Sequence, residues 1–369
     1  MSKQPKQKSI AFYIGSLSRG GAERVIVNLA AYFRNSGYQV TIVTKERDNV
    51  EYPVQEGVTR MLADIAGDEI SSNRIVNLYR RIAKLRNIFK QLAPDYIVSF
   101  IKKNNFMAIT SVVGLHIPVI VSVRSNPARE YPDKVTRLLA NVLFAKAAGI
   151  VLQTGQAKEF FPDAVQKKAV VLPNSLSEQF LQTEYIGERK KEIVWVGRMD
   201  ENKNPIMLLR AFGKIAEKYQ DWTLKYVGDG PQMNELKELR QNKKYADQIC
   251  FTGRVEDVAS VIRPASVFVL TSKQEGMPNA LMEAMVSGLA AVSTDCPCGG
   301  PAELIKNDVN GILIPVDDEQ ALTVALDKLL SDGEYRNRLG EEAKKLIEIV
   351  HPDMVNRKWL EYIESRKKS

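Results

Sequence analysis

Short runs rich in valine and isoleucine alternate with helix-like stretches along most of the chain, and this alternation limits the possible folds more than any other feature. A strand that is apolar along its whole length is typical of a parallel sheet covered by helices on both faces. Segments of this kind predict strands at residues 9–15, 39–44, 95–100, 118–123 and 149–153. The first part of the chain is therefore predicted to form a doubly wound parallel sheet.

The same alternation begins again after a polar, charged segment at residues 177–191. The second set of strands is predicted at residues 192–197, 223–227, 249–252, 267–270 and 289–294. Because 369 residues suit two domains of ordinary size, we predict an α/β protein with two Rossmann-like domains, residues 1–176 and 177–351, facing each other across a cleft. A last helix at about 352–369, after a break at Pro352, is predicted to pack back onto the first domain.

The net charge of +8 is concentrated in the first half of the chain. Residues 1–175 contain 25 Lys or Arg against 13 Asp or Glu, a net +12, whereas the remainder has 27 against 31. Residues 74–92 combine six basic residues with apolar ones at helical spacing, which predicts a basic amphipathic helix. Two interpretations stay open, a surface helix packed on the sheet and a face presented to anionic lipid. Nucleic acid is not an expected partner, because aromatic residues are not interleaved with the basic ones.

The basic first domain predicts contact with an anionic membrane surface, although no apolar run reaches the roughly 18 residues that a membrane span needs. The start of the chain, residues 1–8, is basic but has no small-residue cleavage site, so it is expected to be a tail and not a signal peptide. Three cysteines, an odd number, favour reduced thiols. Cys296 and Cys298 lack a second thiol pair, and no metal site is expected there. We therefore expect a cytoplasmic protein, peripheral on the inner face of the plasma membrane.

Ligands of open parallel sheets bind in the loops that follow the strands, and two of these loops exclude common nucleotide enzymes. Gly20 and Gly21 follow the first strand and open a helix, as a backbone that approaches a diphosphate requires. They do not form Gly-x-Gly-x-x-Gly, and the second strand ends in Lys45 without an acidic residue for a ribose. A nicotinamide dehydrogenase is therefore not expected, and a phosphate-loop hydrolase is excluded because its motif is absent.

In the second domain, Arg198 and Lys203 lie five residues apart on the loop after the first strand. Two cations there are suited to neutralise the charge that develops on a departing diphosphate. The alternative is a solvated, charged loop. Farther along, the backbone near Val255 follows another strand and is placed to contact the edge of a base.

Glu275 and Glu283 bracket a Gly-x-Pro turn that opens a helix. Pro278 suits the first helical position, and the next three N–H groups, of residues 279–281, would then point out of the helix start towards an anion. Glu283 is five residues beyond Pro278, which is roughly 7 to 8 Å along the helix axis at about 1.5 Å per residue. One carboxylate is thus placed to hold a sugar and the other a ribose, with a diphosphate between them. The alternative is a solvated helix start that contains an ordinary acid.

With these loops in order, the chain resembles the retaining glycosyltransferases of the GT-B fold, a large family that includes bacterial mannosyl-, N-acetylgalactosaminyl- and lipopolysaccharide glycosyltransferases. The resemblance runs nearly from end to end. It rests on Gly20-Gly21-Ala22-Glu23-Arg24, on Gly197-Arg198 with Lys203-Asn204, on Gly228-Asp229-Gly230-Pro231, on Glu275 and Glu283, and on Gly299-Gly300-Pro301-Ala302-Glu303. Each motif alone is weak, but their order and spacing are specific.

The resemblance implies a role for each position. Arg198 and Lys203 would clamp the donor diphosphate, Glu275 would bind hydroxyls of the transferred sugar, and Glu283 would bind the ribose. The other donor-binding residues would be Gly20, Gly21, Val255, Gly276, Met277, Asn279, Ala280 and Leu281. The chain has no Asp-x-Asp motif, which agrees with an enzyme that needs no metal or other cofactor. In such enzymes the leaving phosphate itself deprotonates the acceptor, so no protein nucleophile is required, unlike in the glycosidase scheme.

The acceptor side departs from the family pattern. Many relatives have a His or a Ser-Glu-Arg-Asn run after the strand predicted at 118–123, and here Arg124 and Asn126 fit that run while Val123 replaces its acid. We take Arg124 and Asn126 as the acceptor-side candidates. His116 and His351 lie outside the motifs and are expected to be structural.

The resemblance thus implies a retaining, metal-independent hexosyltransferase that moves a hexose or N-acetylhexosamine from a UDP-sugar to a glycan acceptor. A lipid-linked acceptor in cell-surface polysaccharide synthesis would explain the basic first domain. Two alternatives use the same donor residues. One is a non-catalytic module that binds nucleotide sugars or glycans, and the other is a GT-B phosphorylase or a transferase acting on a soluble sugar phosphate.

Overall fold

A computed structural model describes residues 7–18, 20–181 and 185–366, apart from the side chain of Asp68. It divides into two compact units, one formed by Met1–Leu172 with Asn356–Ser369 and the other by Pro173–Val355. The division thus falls a few residues before the boundary predicted at 176. Most of the basic tail predicted at residues 1–8 lies outside the described residues.

The sheet of the first unit has seven parallel strands in the order β3-β2-β1-β4-β5-β6-β7. The strands are β1 Ser9–Ile14, β2 Gln39–Thr44, β3 Thr59–Leu62, β4 Tyr96–Phe100, β5 Val119–Ser122, β6 Gly149–Leu152 and β7 Ala169–Val171. Every residue of β4, β5 and β6 is buried. This burial explains their unbroken apolar sequences, because such strands are covered on both faces.

Helices cover both faces of this sheet. Their bounds are α1 Gly21–Asn35, α2 Arg74–Leu92, α3 Lys102–Ser111, α4 Pro127–Glu130, α5 Lys134–Lys146, α6 Gly155–Glu159 and α7 Asp163–Gln166. Neighbouring residues of β1 point to opposite faces: Phe12 packs edge-to-face on Phe33 of α1, with ring centroids 5.8 Å apart, and Tyr13 packs on Phe89 of α2, at 6.3 Å. Helices α1 and α2 therefore lie on opposite sides of the sheet.

Helix α2 is the basic helix predicted at residues 74–92, and it packs on the sheet over only part of its length. Its buried residues are Leu85, Ile88 and Phe89. Ile75 and Leu78, in the first half, are exposed although the predicted apolar stripe included them. The second half of the predicted apolar stripe therefore packs on the sheet, whereas Ile75 and Leu78 in its first half do not.

The second unit has six parallel strands in the order β10-β9-β8-β11-β12-β13. The strands are β8 Lys190–Val196, β9 Thr223–Val227, β10 Ile249–Phe251, β11 Ala265–Leu270, β12 Ala290–Thr294 and β13 Ile312–Ile314. The helices are α8 Pro205–Gly213, α9 Met233–Arg240, α10 Val258–Ile262, α11 Asn279–Val286, α12 Gly300–Leu304, α13 Glu319–Ser331, α14 Gly333–Lys344 and α15 Ile347–Val350. The predicted α/β class with two Rossmann-like sheets is confirmed.

The last helix, α16, spans Pro352–Glu364, within the segment predicted at about 352–369, and its first residue is a proline, which is tolerated in a first helical turn. From Asn356 onwards the chain belongs to the first unit. Trp359 stacks on Phe100 of β4 with ring centroids 5.7 Å apart, and the Tyr362 hydroxyl accepts the N–H of Ile150 in β6 at 2.9 Å. These contacts fix the end of the chain on the first sheet.

Three strands were not predicted, and all three are edge strands: β3, β7 and β13. They contain four, three and three residues, and no residue of β3 or β7 is fully buried. A short, half-exposed strand has no long apolar run and so gives little sequence signal. Within the described ranges, no helix has the combination of length and hydrophobicity that a membrane span would require.

Candidate active site

The loops after β8 and β11 start side by side in the second unit. The strand order reverses between these two central neighbours, because β9 follows β8 in sequence but lies on its other side. In open parallel sheets a ligand crevice forms outside the carboxyl ends of the strands at such a reversal. Arg198 and Lys203 lie on the first loop and Glu275 on the second, so the fold brings the predicted donor residues to one edge of one sheet.

Lys203 and Glu275 form an ion pair between Nζ and Oε1, and both side chains are largely buried. The same carboxylate oxygen accepts a hydrogen bond from the Ser272 hydroxyl at 2.6 Å. Sequence reasoning gave the lysine to the diphosphate and the glutamate to the sugar, but did not foresee that they contact each other. The positive charge of Lys203 and the carboxylate of Glu275 are therefore fixed next to each other.

Backbone contacts hold the lysine loop against the glutamate loop. The Thr271 hydroxyl donates to the Lys203 carbonyl at 2.8 Å, and the Lys273 N–H donates to the Asn202 carbonyl at 2.7 Å. The Asn202 amide in turn donates to the Gln274 carbonyl at 3.1 Å. Because each bond crosses from one loop to the other, the position of Lys203 depends on the backbone that carries Glu275.

Arg198 is placed differently from Lys203. Its side chain is 73% exposed, and its Nε lies 3.6 Å from the carboxylate of Asp200 on the same loop. Asp200 also accepts the N–H of Lys203 at 3.0 Å. The exposed guanidinium is thus available for an anion at the sheet edge. Asp200 connects the two basic residues, because its carboxylate contacts the side chain of Arg198 and the backbone of Lys203.

Helix α11 begins at Asn279, one residue later than predicted. Pro278 has an extended ψ of 106°, so it is the N-cap and not the first helical residue. The N–H of Met282 makes the first helical bond, to the Pro278 carbonyl at 3.2 Å, and the cap has no side-chain hydrogen bond. The N–H groups of residues 279–281 therefore precede the helical ladder, where the macrodipole favours an anion.

Asn174 fixes the entry to α11, a role that sequence reasoning missed. Its amide donates to the Met277 carbonyl at 3.2 Å and to Oδ1 of Asn279 at 2.8 Å. The Pro-Asn pair at residues 173–174 was the only available sign, and it indicated no more than a turn.

The two predicted carboxylates have different surroundings. Glu283 is only 6% exposed on the first turns of α11, whereas Glu275 lies on the loop that precedes the helix. Met277 and Leu281 are buried, Ala280 is half-buried, and Val255 packs against the same apolar cluster from the end of β10. The start of α11 thus packs on a buried apolar cluster through Met277 and Leu281, and Glu275 lies on the loop just before it.

Glycine residues allow the strand ends to approach one another closely. A Cβ on Gly300, at the start of α12, would overlap the carbonyl of Gly276, and one on Gly228 would overlap that of Gly197. Gly228 also has a φ of +131°, a conformation that favours glycine. The two glycine contacts join the loops that carry Arg198 and Glu275 to their neighbours, a role that the motifs alone did not indicate.

Gly20 and Gly21 open α1 in the first unit, as predicted from their position after β1. Gly20 is the N-cap without a side-chain hydrogen bond, and its N–H donates to the Ser18 carbonyl at 2.7 Å. The carboxylate of Glu23 lies where a Cβ on Gly20 would stand, and burial raises the pKa of Glu23. The carboxyl group of Glu23 therefore already lies at the start of α1.

The acceptor-side candidates follow β5 in the first unit. Asn126 caps α4, its Oδ1 accepting the N–H of Ala128 at 2.9 Å. The Arg124 guanidinium lies 5.6 Å from the centroid of the Phe100 ring and 3.5 Å from the Ser122 hydroxyl, and desolvation lowers its pKa. Each of the two residues therefore makes a packing or capping contact, and its role towards an acceptor stays a prediction.

Of the remaining polar residues, the two histidines lie on other segments of the chain, whereas Cys296 is close enough to Glu275 and Lys203 for their charges to act on its thiol. His116 has a φ of +58° in the turn before β5, and His351 is the C-cap of α15. Cys296 is buried after β12, and desolvation raises its pKa to about 12. Among residues 7–18, 20–181 and 185–366, no group of three or more His, Cys, Asp or Glu side chains is arranged to hold a metal ion.

Known families match both halves of the chain. Residues 19–179 match the family described as Glycosyltransferase Family 4, and residues 177–346 match Glycosyl transferases group 1. A Campylobacter jejuni protein, named GalNAc-alpha-(1->4)-GalNAc-alpha-(1->3)-diNAcBac-PP-undecaprenol alpha-1,4-N-acetyl-D-galactosaminyltransferase, is 28% identical over 97% of this chain and 99% of its own length. The amylovoran biosynthesis glycosyltransferase AmsD of Erwinia amylovora is 25% identical over 94% of this chain and 96% of its own.

Solved structures share the architecture. HepE from Anabaena, solved in complex with UDP, superposes with a TM-score of 0.80 at 16% identity, over 97% of this chain and 100% of that one. The lipopolysaccharide outer core galactosyltransferase WaaB superposes with a TM-score of 0.77 at 18% identity, over 97% and 99%. These likenesses confirm the predicted GT-B fold.

Proposed function

We propose that this chain, which belongs to the group 1 glycosyltransferases of the GT-B fold, transfers a hexose or N-acetylhexosamine from a UDP-sugar to a glycan acceptor with retention of configuration. One observation carries the proposal: the Lys203–Glu275 ion pair joins the loops after β8 and β11 at the strand reversal, and the second of these loops leads into the start of α11, whose cap makes no side-chain hydrogen bond. A sugar diphosphate needs cations and N–H donors for its phosphates and a carboxylate for its sugar hydroxyls, and this edge of the sheet offers all three.

The basic and acidic donor residues bind different parts of the donor. Arg198 and Lys203 offset the negative charge that grows on the diphosphate as the bond to the sugar breaks, and the N–H groups at the start of α11 add a fixed dipole. Glu275 binds hydroxyls of the transferred sugar, and Glu283 binds the ribose. Because two cations and a helix dipole already supply positive charge, we propose that the reaction needs no metal ion.

The transfer itself requires no protein nucleophile. The bond between the anomeric carbon and the diphosphate oxygen breaks through an oxocarbenium-like state, and the acceptor hydroxyl oxygen bonds to the same face of that carbon. The hydroxyl proton passes to the departing phosphate oxygen, so UDP leaves with the proton and the configuration is retained. The chain's part is to hold these groups in place and to stabilise the charge on the leaving group.

The acceptor is proposed to be a lipid-linked glycan in bacterial cell-surface polysaccharide or glycan synthesis. The names of the similar proteins support this class, since one is named for an undecaprenol-PP-linked glycan and another for amylovoran biosynthesis. The net +12 of the first 175 residues suits an anionic membrane surface. We therefore propose a cytoplasmic protein that is peripheral on the inner face of the plasma membrane.

Thermal unfolding with a panel of UDP- and GDP-sugars tests the donor, because a ligand that binds only the folded state raises the melting temperature. The best donor is then incubated with an undecaprenyl diphosphate-linked glycan, with and without a chelator, and the new linkage is assigned by NMR. We expect an α-linked product from an α-linked donor and no loss with the chelator. A β-linked product would refute retention, and release of a sugar phosphate when free phosphate replaces the acceptor would indicate a phosphorylase.

A further inference from the structure

The outward side of α5 carries an apolar stripe. Its members stand at positions i, i+3, i+4 and i+7, the spacing of one helix face. They are Val135, Leu138, Leu139 and Val142, exposed by 76%, 64%, 45% and 48%. Ala140 and Phe144, the buried residues of α5, project from roughly the opposite side of the helix at about 100° per residue. Helix α5 is therefore apolar on two sides, of which only one packs against the protein.

Helix α2 carries a second set of exposed apolar residues in its first turns, namely Ile75, Leu78 and Tyr79. Helix α2 packs against α3, and α3 packs against α5. The two apolar sets therefore belong to one layer of helices on the first unit, and we call α2, α3 and α5 the basic layer. Scattered exposed aliphatic residues are normal, but two clustered sets on helices that pack against the same neighbour, α3, point to a contact surface.

The charge of the basic layer has one sign. The sequences of α2, α3 and α5 contain 11 Lys or Arg and no Asp or Glu. Helices α1, α6, α7 and α16 together contain six acidic and five basic residues, so the bias is not general to the unit. Asp64 and Glu69, outside these helices, pair with Arg81 and Lys84 and offset part of the charge. A basic surface with exposed aliphatic and aromatic residues has the composition of an interfacial membrane contact.

We propose that the basic layer seats the protein on an anionic membrane, with the α5 stripe buried at the boundary between head groups and acyl chains. This inference rests on the proposed membrane-borne acceptor and names the surface that reaches it. The lysine and arginine side chains would meet lipid phosphates while their apolar neighbours enter the bilayer. A second copy of the chain fits less well, because two basic layers would face each other without any acid from these helices.

Fluorescence of an added tryptophan measures whether α5 enters the bilayer. The three native tryptophans, Trp195, Trp222 and Trp359, are at most 2% exposed and stay away from lipid. We expect Leu138→Trp to be quenched by brominated acyl chains in vesicles of equal parts phosphatidylglycerol and phosphatidylcholine. The matched control is Val324→Trp on α13 of the second unit, where valine is 59% exposed, and it should not be quenched.

Charge substitution measures the contribution of the stripe to binding. Burying a leucine side chain contributes about 1.5 to 3 kcal/mol, and 1.4 kcal/mol is about tenfold in affinity, so Leu138→Glu should weaken vesicle binding about tenfold or more. Val324→Glu should leave binding unchanged. Both positions are exposed, and both variants should unfold at the wild-type temperature.

Several results would overturn the inference. It fails if Leu138→Trp and Val324→Trp are quenched equally, or if Leu138→Glu binds vesicles as the wild type does. It also fails if light scattering shows a wild-type dimer that Leu138→Glu dissociates without loss of vesicle binding. Transfer to a short, water-soluble glycan separates this inference from the proposed function: Leu138→Glu should retain it, and if the wild type transfers no sugar to any acceptor, the proposed function fails while the membrane measurements still stand.

Discussion

Replacing Gly300 by alanine tests whether close backbone packing holds the donor loop in place. Gly300 has an ordinary φ, so alanine adds no backbone strain and changes only the space that is filled. Its Cβ would lie 1.6 Å from the Gly276 carbonyl oxygen, where real Cβ atoms essentially never come within 3.0 Å. The loop between Glu275 and Pro278 and the start of α12 must therefore move apart by about 1.4 Å, the difference between these two distances.

The size of the expected effect follows from that displacement. Overpacking of this kind costs about 1 to 3 kcal/mol, and for a unit of this size each kcal/mol lowers the melting temperature by about 2 to 4 °C. Because Gly276 follows Glu275 directly, any movement of this loop also displaces the Glu275 carboxylate, which we propose binds the sugar. A misplacement of about 1 Å at a catalytic group costs on the order of 100-fold in rate.

Calorimetry and initial rates of sugar transfer measure the two effects. Gly333→Ala is the matched control, because Gly333 starts α14 in the same unit and its Cβ would meet the nearest atom, of Arg336, at an ordinary 3.4 Å. We expect the control to unfold at or slightly above the wild-type temperature and to keep full activity. If Gly300→Ala unfolds like the control and transfers sugar at the wild-type rate, the argument that this glycine positions the donor loop is wrong.

Three further predictions concern charged groups. Glu275→Gln should abolish most transfer with little loss of UDP affinity, whereas Glu283→Gln should mainly weaken UDP binding; calorimetric titration and initial rates check this, and exchanged effects would contradict the assigned roles. Arg198→Ala should lower both UDP affinity and transfer rate, because its charge meets the bound and the departing phosphate alike. A hydrogen bond from Arg60 lowers the pKa of Glu51 from 4.5 to about 2. A carboxyl group whose pKa is lower in the folded than in the unfolded state stabilises the fold at pH values above its unfolded pKa. The stability advantage of the wild type over Glu51→Gln should therefore be full above pH 4.5 and disappear as the pH falls through about 2. Urea unfolding at several pH values measures this difference.

The central strands could be predicted from the sequence because strands that are buried on both faces consist almost entirely of apolar residues. Strands such as β4 and β11 are buried at every residue, and only apolar runs satisfy that environment. The predicted strand at residues 223–227 coincides with β9. The edge strands β3, β7 and β13 are too short to contain a long apolar run, which explains why they were missed, whereas the edge strand β10 lies within the strand predicted at residues 249–252.

The sequence predicted that the loops carrying Arg198, Lys203 and Glu275 lie at one edge of the second sheet, but it did not predict their contacts with each other. The rule that ligands bind beyond the carboxyl ends of strands places Arg198, Lys203 and Glu275 at one edge without any side-chain information. The Lys203–Glu275 ion pair and the hydrogen bonds of Asn174 depend on the distance between segments that are far apart in sequence. Motifs record which residues are present, whereas these contacts depend on how the chain folds.

The two units use their polar groups in different ways, and this difference bears on where the acceptor is recognised. In the second unit, Lys203 and Glu275 are held at a strand reversal by hydrogen bonds between neighbouring loops, as a rigid donor site requires. In the first unit, Asn126 caps α4 and Arg124 lies against Phe100, so both predicted acceptor residues also have a structural task. We therefore expect recognition of the proposed lipid-linked acceptor to use more than this pair, and we propose that the basic layer provides a second surface, for the lipid and not the sugar.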